Sequence, residues 1–194
     1  ISVTASGYDS YSEQVLMASN GFDGYVEYTA FYGAAEMTAR DEGNRRPAEY
    51  NVAIAMKQKD LPGPEDIGAE AAARTLSLLG AKKIKTETLP IIIENRVVGQ
   101  VAGGLLQAMF GRSIQQKQSF LADKKGQKVG SERLTLIDDP FIPSGLGSRT
   151  FDGEGIAAKK MTMIEAGVLR EFYIDWYYGR KLGWEPTSGS PSNL

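Results

Sequence analysis

One change of period, near residue 61, constrains this chain more than any other feature. Before it the sequence reads as short antiparallel strands. Ser2 to Ser6 and Glu13 to Ala18 are strand candidates, the second closed by Asn20-Gly21, a dipeptide suited to a tight hairpin turn. Tyr25 to Tyr32 alternates, with Val26, Tyr28, Ala30 and Tyr32 on its more apolar face. Ala35 to Arg40 and Tyr50 to Met56 continue the meander, and Glu42-Gly43-Asn44 marks the turn between them. Leu61-Pro62-Gly63-Pro64 then stops the sheet. Pro64 suits the first turn of a helix, Glu65 and Asp66 complement its positive end, and the alanine- and leucine-rich run Ile67 to Leu79 carries it to a C-terminal glycine, Gly80. A single helix covering a meander is an α+β layer arrangement.

The second half mixes both periods. Leu89 to Glu94, with three isoleucines, is a short strand candidate. A helix is predicted from Arg96 to Phe110, where Val97, Val101, Leu105 and Met109 lie four apart on one stripe. Gly99, Gly103 and Gly104 each cost that helix about 1 kcal/mol relative to alanine, so they imply close packing against another backbone. They form no phosphate loop, since no GxxxxGK[ST] pattern is present. Leu134 to Ile137 reads as a buried strand broken by Asp138-Asp139-Pro140. A glycine-rich loop follows through Ser144 to Ser148. Lys160 to Ile164 and Val168 to Tyr173 form a hairpin across Glu165-Ala166-Gly167, and an amphipathic segment from Ile174 to Leu182 ends at Gly183. The run from Pro186 to Leu194 has no closing element and reads as a loose tail or as the cut edge of something longer. The expected architecture is therefore α+β: an antiparallel β-meander covered by a helix over residues 1–85, followed by the start of a second mixed, β-rich domain over residues 86–194.

Composition narrows the chemistry. The chain has no histidine and no cysteine. It cannot by itself build a Ser-His-Asp triad, a Cys-His pair or an ordinary zinc site. The net charge of −2 gives no general basic field for nucleic acid. The absence of cysteine fits a reducing compartment, no apolar run approaches the roughly 20 residues needed to cross a bilayer, and no signal-peptide pattern is present. A cytoplasmic protein without membrane contact is expected.

Four groups of residues invite a chemical reading. Asp138-Asp139 is a carboxylate pair, but Asp-Asp-Pro is also common strand-end turn chemistry, with one aspartate capping backbone N–H groups. Asp152-Gly153-Glu154-Gly155 has oxygen donors but lacks the ligand ladder and distal glutamate of a calcium loop. Between Arg112 and Arg133 six basic residues oppose only Asp123 and Glu132. With Phe120 as the one aromatic, base stacking has little support, and a solvated face beside an acidic partner surface is the simpler reading. Tyr173, Trp176, Tyr177 and Tyr178 cluster at helical spacing, which favours core over a ligand pocket. No catalytic, metal-binding or substrate-binding residue can be assigned on these grounds.

An ordered string gives more. Gln118-Ser119-Phe120-Leu121, Gly126-Gln127-Lys128-Val129, Leu134 through Pro140, Phe151-Asp152-Gly153-Glu154-Gly155, Ile164 through Leu169 and Arg180-Lys181-Leu182-Gly183 occur in an order and spacing that resembles the TldD/PmbA family, the modulators of DNA gyrase. The helix ending Leu78-Leu79-Gly80-Ala81 also resembles the family's helix before its C-terminal domain. The likeness is specific from Ile67 to Leu194 and compatible before that. The family chain is longer, so this sequence reads as a central piece of such a chain. The resemblance implies a metallopeptidase system of two related subunits. The TldD type carries HExxxH on a helix, two histidines holding zinc and the glutamate activating water, while the PmbA/TldE type lacks that motif. Counted back from the family's Ser-to-Gly string, here Ser119 to Gly126, the motif falls on Ala102-Gly103-Gly104-Leu105-Leu106-Gln107. The ligand positions are Ala102 and Gln107 and the base position is Gly103. None can do the work. The resemblance thus implies a PmbA/TldE-type subunit, not catalytic alone, which binds no cofactor itself. It would join a TldD-like, zinc-bearing partner or a second copy of itself, with a peptide as substrate. A homo-oligomeric binding protein, or a modulator of DNA gyrase, is the alternative.

Overall fold

A computed structural model describes residues 1–194. The chain divides into two compact units, one formed by Ile1–Gln14 and Val26–Leu89, the other by Val15–Tyr25 and Pro90–Leu194. The fold is α+β with two three-stranded sheets.

In the first sheet the order is β1-β2-β3, with β1 at Ser2–Met17, β2 at Asp23–Thr38 and β3 at Ala48–Ala55. The four short strands expected over residues 2–40 are two long ones. Gly7, Ser10 and Ser12 lower strand propensity in β1 without breaking it, because the neighbouring strand supplies the pairing. Strands β2 and β3 are antiparallel in a regular register from Phe31↔Ala55 to Thr38↔Ala48. Helix α1 (Pro64–Ser77) starts with Gly63 at its N-cap and Pro64 in its first turn, as the sequence predicts, and Gly80 beyond its end has φ +70°. Its buried residues Ile67, Ala71 and Thr75 recur every four positions and lie on Ala35 of β2 and Ala53 of β3. Small residues let the helix come close. A Cβ on Gly33 would stand 2.7 Å from the Ile67 Cδ1. The Thr75 hydroxyl lies 2.9 Å from the Ala71 carbonyl and 3.1 Å from that of Met37, so a buried polar group is satisfied where helix meets sheet. Beyond the helix, Asp41 accepts from the Glu42 and Gly80 amides (2.8 and 3.1 Å) and pairs with Arg45, which ties the β2–β3 loop to the chain after α1. The two amides hold the Asp41 carboxyl below its ordinary pKa.

Register explains which face of the sheet is covered. Tyr32 pairs with Ile54 and Ala34 with Val52, so these residues share a face, whereas Gly33, Ala35 and Ala53 share the face under α1. Tyr8 stacks on Tyr32 at 4.6 Å and joins the first set. The more bulky and apolar face of β2 is therefore not the one that the helix covers.

The second unit is built around α2 (Asn95–Ala108), α3 (Gly111–Gln115), the sheet β4-β5-β6 (Leu136–Asp138, Met161–Glu165, Val168–Leu169) and α4 (Trp176–Leu182). Its core consists of Met109, Ile114, Leu121, Met163, Ile164, Leu169, Phe172, Tyr173 and Ile174, among others. The predicted hairpin turns through Ala166 (φ +45°) and Gly167 (φ +81°). A Cβ on Gly167 would meet the Gly130 carbonyl oxygen at 2.4 Å, so only glycine fits. Asp175 caps α4 by accepting from the Tyr178 amide at 2.6 Å, and Gly183 ends it at φ +70°. Phe22, in the turn between β1 and β2, packs edge-on against Phe151, with centroids 5.2 Å apart.

Three further expectations fail. Leu89 to Glu94 forms no strand: residues 89–94 join neither sheet, and Ile92 is 99% exposed. β-Branched residues supply propensity, but a strand exists only where another pairs with it, and the β4-β5-β6 sheet does not reach this segment. The predicted helix from Arg96 to Phe110 forms over Asn95–Ala108, but nothing lies within 4 Å of a Cβ placed on Gly99, Gly103 or Gly104, so no backbone approaches them. The stripe is buried only at its far end, with Val101 62% exposed and Met109 fully buried. The stretch from Pro186, read as a loose tail or the cut edge of something longer, is held by hydrogen bonds from Thr187 to Asn193, as described next.

Candidate functional site

The segment carrying the predicted motif positions lies on α2. Ala102 is half-buried, and Gly103 and Gln107 are exposed. Gln107 donates from Nε2 to the Ser113 hydroxyl at 3.3 Å. The end of the helix is fixed: the Tyr173 amide donates to the Met109 carbonyl (3.0 Å), the Gly111 amide donates to the Tyr173 carbonyl (2.8 Å), and the Ser119 hydroxyl donates to the Ala108 carbonyl (2.5 Å). Ser119 thus satisfies a helix-terminal carbonyl. Alanine has no donor atom, glycine no base, and a neutral amide is a poor partner for zinc. This donor set does not fit a metal ion, and no group of three His, Cys, Asp or Glu residues elsewhere is arranged to hold one.

The two aspartates of the predicted pair separate in role. Asp139 accepts from the Phe141 amide at 3.0 Å, the expected turn cap, and pairs with Lys160 at 2.8 Å. Lys160 first, then the amide, hold its carboxyl below the ordinary range. Asp138 is 1% exposed and accepts from both the backbone amide (2.9 Å) and the hydroxyl of Ser192. Facing it is the buried Tyr173 hydroxyl. Burial first, and the Asp138 charge second, push that phenol far above its ordinary pKa. No group meets full hydrogen-bond geometry with the hydroxyl. The pair is not two carboxylates across a cleft, and the geometry offers no acid and base to a substrate.

Asp152 also serves the backbone. It is buried, accepting from the Glu154 and Ile156 amides at 3.0 Å and from the Gly189 amide at 3.3 Å, so this segment is an Asp-centred turn. Glu154 accepts from the Trp176 amide at 2.8 Å. The aromatic cluster divides: Tyr173 is core, but Trp176 and Tyr177 are exposed and lie under Arg180 and Lys181, with 5.5 and 4.6 Å between cation and ring centre. Along the basic stretch Lys125 pairs with Glu171 (2.5 Å) and Lys128 with Glu132 (2.6 Å), while Arg112, Lys117 and Lys124 are exposed.

Sequence reasoning missed what holds these elements together. The Arg149 guanidinium donates to the hydroxyls of Ser188 and Ser190, both at 3.1 Å. Thr187 hydrogen-bonds the 172–174 backbone. Asn193 donates to the Asp139 carbonyl and accepts from the Gly147 amide. Low-complexity serine and glycine gave no periodic signal, and Arg149 lies far away in sequence. Beside this tail an open cleft of about 710 Å³ is lined by Lys125, Lys159, Glu171, Trp184 and Glu185, among others.

Comparison with known proteins places the chain. Residues 1–79 match the model of the PmbA/TldA metallopeptidase central domain, and residues 86–192 match that of the C-terminal domain. The chain belongs to the PmbA/TldD family. It is 34% identical over 178 residues to Metalloprotease PmbA of Escherichia coli O157:H7, an alignment covering 91% of this chain and 39% of that protein. It is 32% identical to the Metalloprotease PmbA homolog of Buchnera aphidicola subsp. Acyrthosiphon pisum, covering 84% of this chain and 35% of that one. Among solved structures, a candidate modulator of DNA gyrase from Bacteroides thetaiotaomicron superposes with a TM-score of 0.95 at 34% identity, covering 99% of this chain and 44% of that chain. TldE from Thermococcus kodakarensis gives 0.82 at 27% identity, covering 98% and 43%. The chain therefore spans about two fifths of the length of these PmbA/TldD relatives. No helix is long and apolar enough to cross a membrane.

Proposed function

We propose that this chain acts as a non-catalytic, PmbA/TldE-type subunit of a TldD/TldE-type metallopeptidase system working on peptides or unfolded proteins. It would contribute an interface and part of the substrate chamber, and zinc and the water-activating glutamate would come from a TldD-like partner. One observation carries the reading: where the resemblance puts the metal motif, α2 presents Ala102, Gly103 and Gln107, on a chain without histidine or cysteine. The likeness to TldE supports the subunit type. The uncovered half of α2, with Val98 and Val101 exposed, is suited to contact with another polypeptide.

The experiment is reconstitution. Mixing the chain with a TldD-type protein and following both light scattering and peptide cleavage should give a stable complex, with cleavage abolished by a chelator. Cleavage by this chain alone in the presence of chelator overturns the proposal. The same uncovered helix face also favours self-association as a homo-oligomeric binding protein. A stable dimer of the pure chain that refuses the TldD-type protein would select that reading.

A further inference from the structure

The turn joining β1 to β2 carries chemistry that the proposed function does not use. It runs from Ala18 to Phe22, within unit 2. Three hydrogen bonds close it. The Ala18 amide donates to the Phe22 carbonyl and the Gly21 amide to the Ala18 carbonyl, both at 3.0 Å, and the Phe22 amide donates to the Asn20 Oδ1 at 3.1 Å. Gly21 has φ +92°, and nothing lies within 4 Å of a Cβ placed on it.

An asparagine can close on the residue that follows it. The next backbone nitrogen loses its proton and attacks the side-chain carbonyl carbon, ammonia leaves, and a succinimide remains. Water then opens that ring at either carbonyl. One product is aspartate, and the other is isoaspartate, in which the main chain runs through the former side chain. A Cβ beside the attacking nitrogen hinders the first step. Asn20 precedes glycine, whereas Asn44, Asn51, Asn95 and Asn193 precede Arg45, Val52, Arg96 and Leu194. The Phe22 amide lies where it can hold the oxygen of the tetrahedral adduct, as backbone amides do in acyl transfer. The Gly21–Ala18 bond is the one that has to open, and it does so at an exposed turn. Asn193, in contrast, is held at both ends of its amide, by the Asp139 carbonyl and the Gly147 amide. Asn51 is paired with Ala35 inside the sheet. The two Asp-Gly pairs are also restrained: Gly24 is buried against Phe151, and Asp152 accepts from three amides.

We propose that Asn20 is a modification site of this chain, deamidated through a succinimide with Gly21, and that the isoaspartyl product releases Phe22 from Phe151. Isoaspartate adds a carbon to the main chain of a five-residue turn and removes the oxygen that the Phe22 amide uses. Phe22 has a closely fitted seat. A Cβ on Gly24 or Gly155 would stand 2.8 or 3.0 Å from its ring, and Phe151 meets it edge-on. A lengthened turn cannot keep that fit. The aspartyl product keeps an acceptor in the same place, so it leaves the seat filled.

The test incubates the 194-residue chain at mildly alkaline pH and follows it by peptide mass spectrometry, with an isoaspartyl methyltransferase to count the rearranged product. The Asn20 peptide should gain about 1 Da. It should do so about tenfold faster than any other asparagine peptide, and Gly21→Ala should slow it by about tenfold, the factor that about 1.4 kcal/mol on a barrier gives. Asn20→Gln, whose longer side chain would have to close a larger ring, should gain nothing there. Amide exchange over residues 151–157 should quicken in the isoaspartyl form and stay at the parent rate in Asn20→Asp and in Asn20→Gln incubated alongside. Faster conversion at another asparagine, an unslowed Gly21→Ala, or an isoaspartyl form with unchanged exchange at residues 151–157 would each overturn the inference.

Discussion

Thr187 decides whether the last nine residues are part of the fold. Its hydroxyl donates to the Phe172 carbonyl at 2.6 Å and accepts from the Ile174 amide at 3.0 Å, while its own amide donates to the Ile174 carbonyl at 2.9 Å. Phe172 and Ile174 are almost fully buried. Thr187→Val keeps the shape and strands one buried donor and one buried acceptor, at about 1–3 kcal/mol each. With some relaxation allowed for, a loss of about 2–4 kcal/mol is expected. Thr187→Ser keeps both bonds and gives up a methyl group, at about 1 kcal/mol. Both tryptophans, Trp176 and Trp184, lie in unit 2, so their fluorescence in a urea titration reports the right part of the molecule. At a slope of about 1–2 kcal/mol/M the valine midpoint should fall by about 2 M and the serine midpoint by less than about 1 M, with slopes unchanged. A valine variant within about 0.5 kcal/mol of the parent would refute the docked tail.

Other outcomes follow from the same contacts. Gly167→Ala forces a Cβ onto the Gly130 carbonyl at a positive φ and should cost about 2–4 kcal/mol in the same titration, whereas Ala166→Gly at φ +45° should be neutral or mildly stabilising. Ile67→Ala removes the one large side chain of the unit 1 core and should destabilise that unit by about 2–4 kcal/mol, read by amide exchange in β2 and β3 with the tryptophan signal unmoved. Lys160→Met should raise the Asp139 pKa toward the ordinary carboxylate value, measured by carboxyl-carbon NMR. Because the folded pKa is depressed, the Asp139 contribution to stability is present above about pH 4 and is lost as pH falls through the folded value.

Legibility followed locality. Helix α1 was readable to within two residues because Gly63-Pro64, Glu65-Asp66 and Gly80 each act on the backbone beside them. The turn of the β5–β6 hairpin was readable for the same reason, being set by Ala166-Gly167, but its second strand stops at Leu169 instead of running to Tyr173. Lengths and partners were not. Nothing within residues 2–17 says that two short runs join into one strand, since that follows from pairing along β2. The absence of imidazole and thiol is a matter of composition and needs no geometry to be noticed. The Asp138–Ser192 and Arg149–Ser188 contacts join residues 54 and 39 apart through side chains that elsewhere mark loops. Such contacts leave no periodic trace.

The failure at residues 89–104 has a different meaning from the failure at the tail. The tail lacked a pattern and proved to be docked. Residues 89–104 have the pattern of a strand and a packed helix, yet Ile91, Ile92, Val98 and Val101 are exposed and the three glycines touch nothing. Each glycine costs about 1 kcal/mol relative to alanine, and a 14-residue helix on its own is marginal in water. Such a sequence is reasonable only where a neighbour comes close enough to use the missing side chains. The exposed apolar run and the glycines are both suited to cover by further polypeptide. Such a cover would fit the assembly proposed above. Replacing Gly99 and Gly103 with alanine separates the alternatives: alone, the chain should gain helix stability of about 1–2 kcal/mol. Binding to a TldD-type protein should weaken if the glycines face it, and a variant that is both more stable and equally well bound would mean that the cover lies elsewhere.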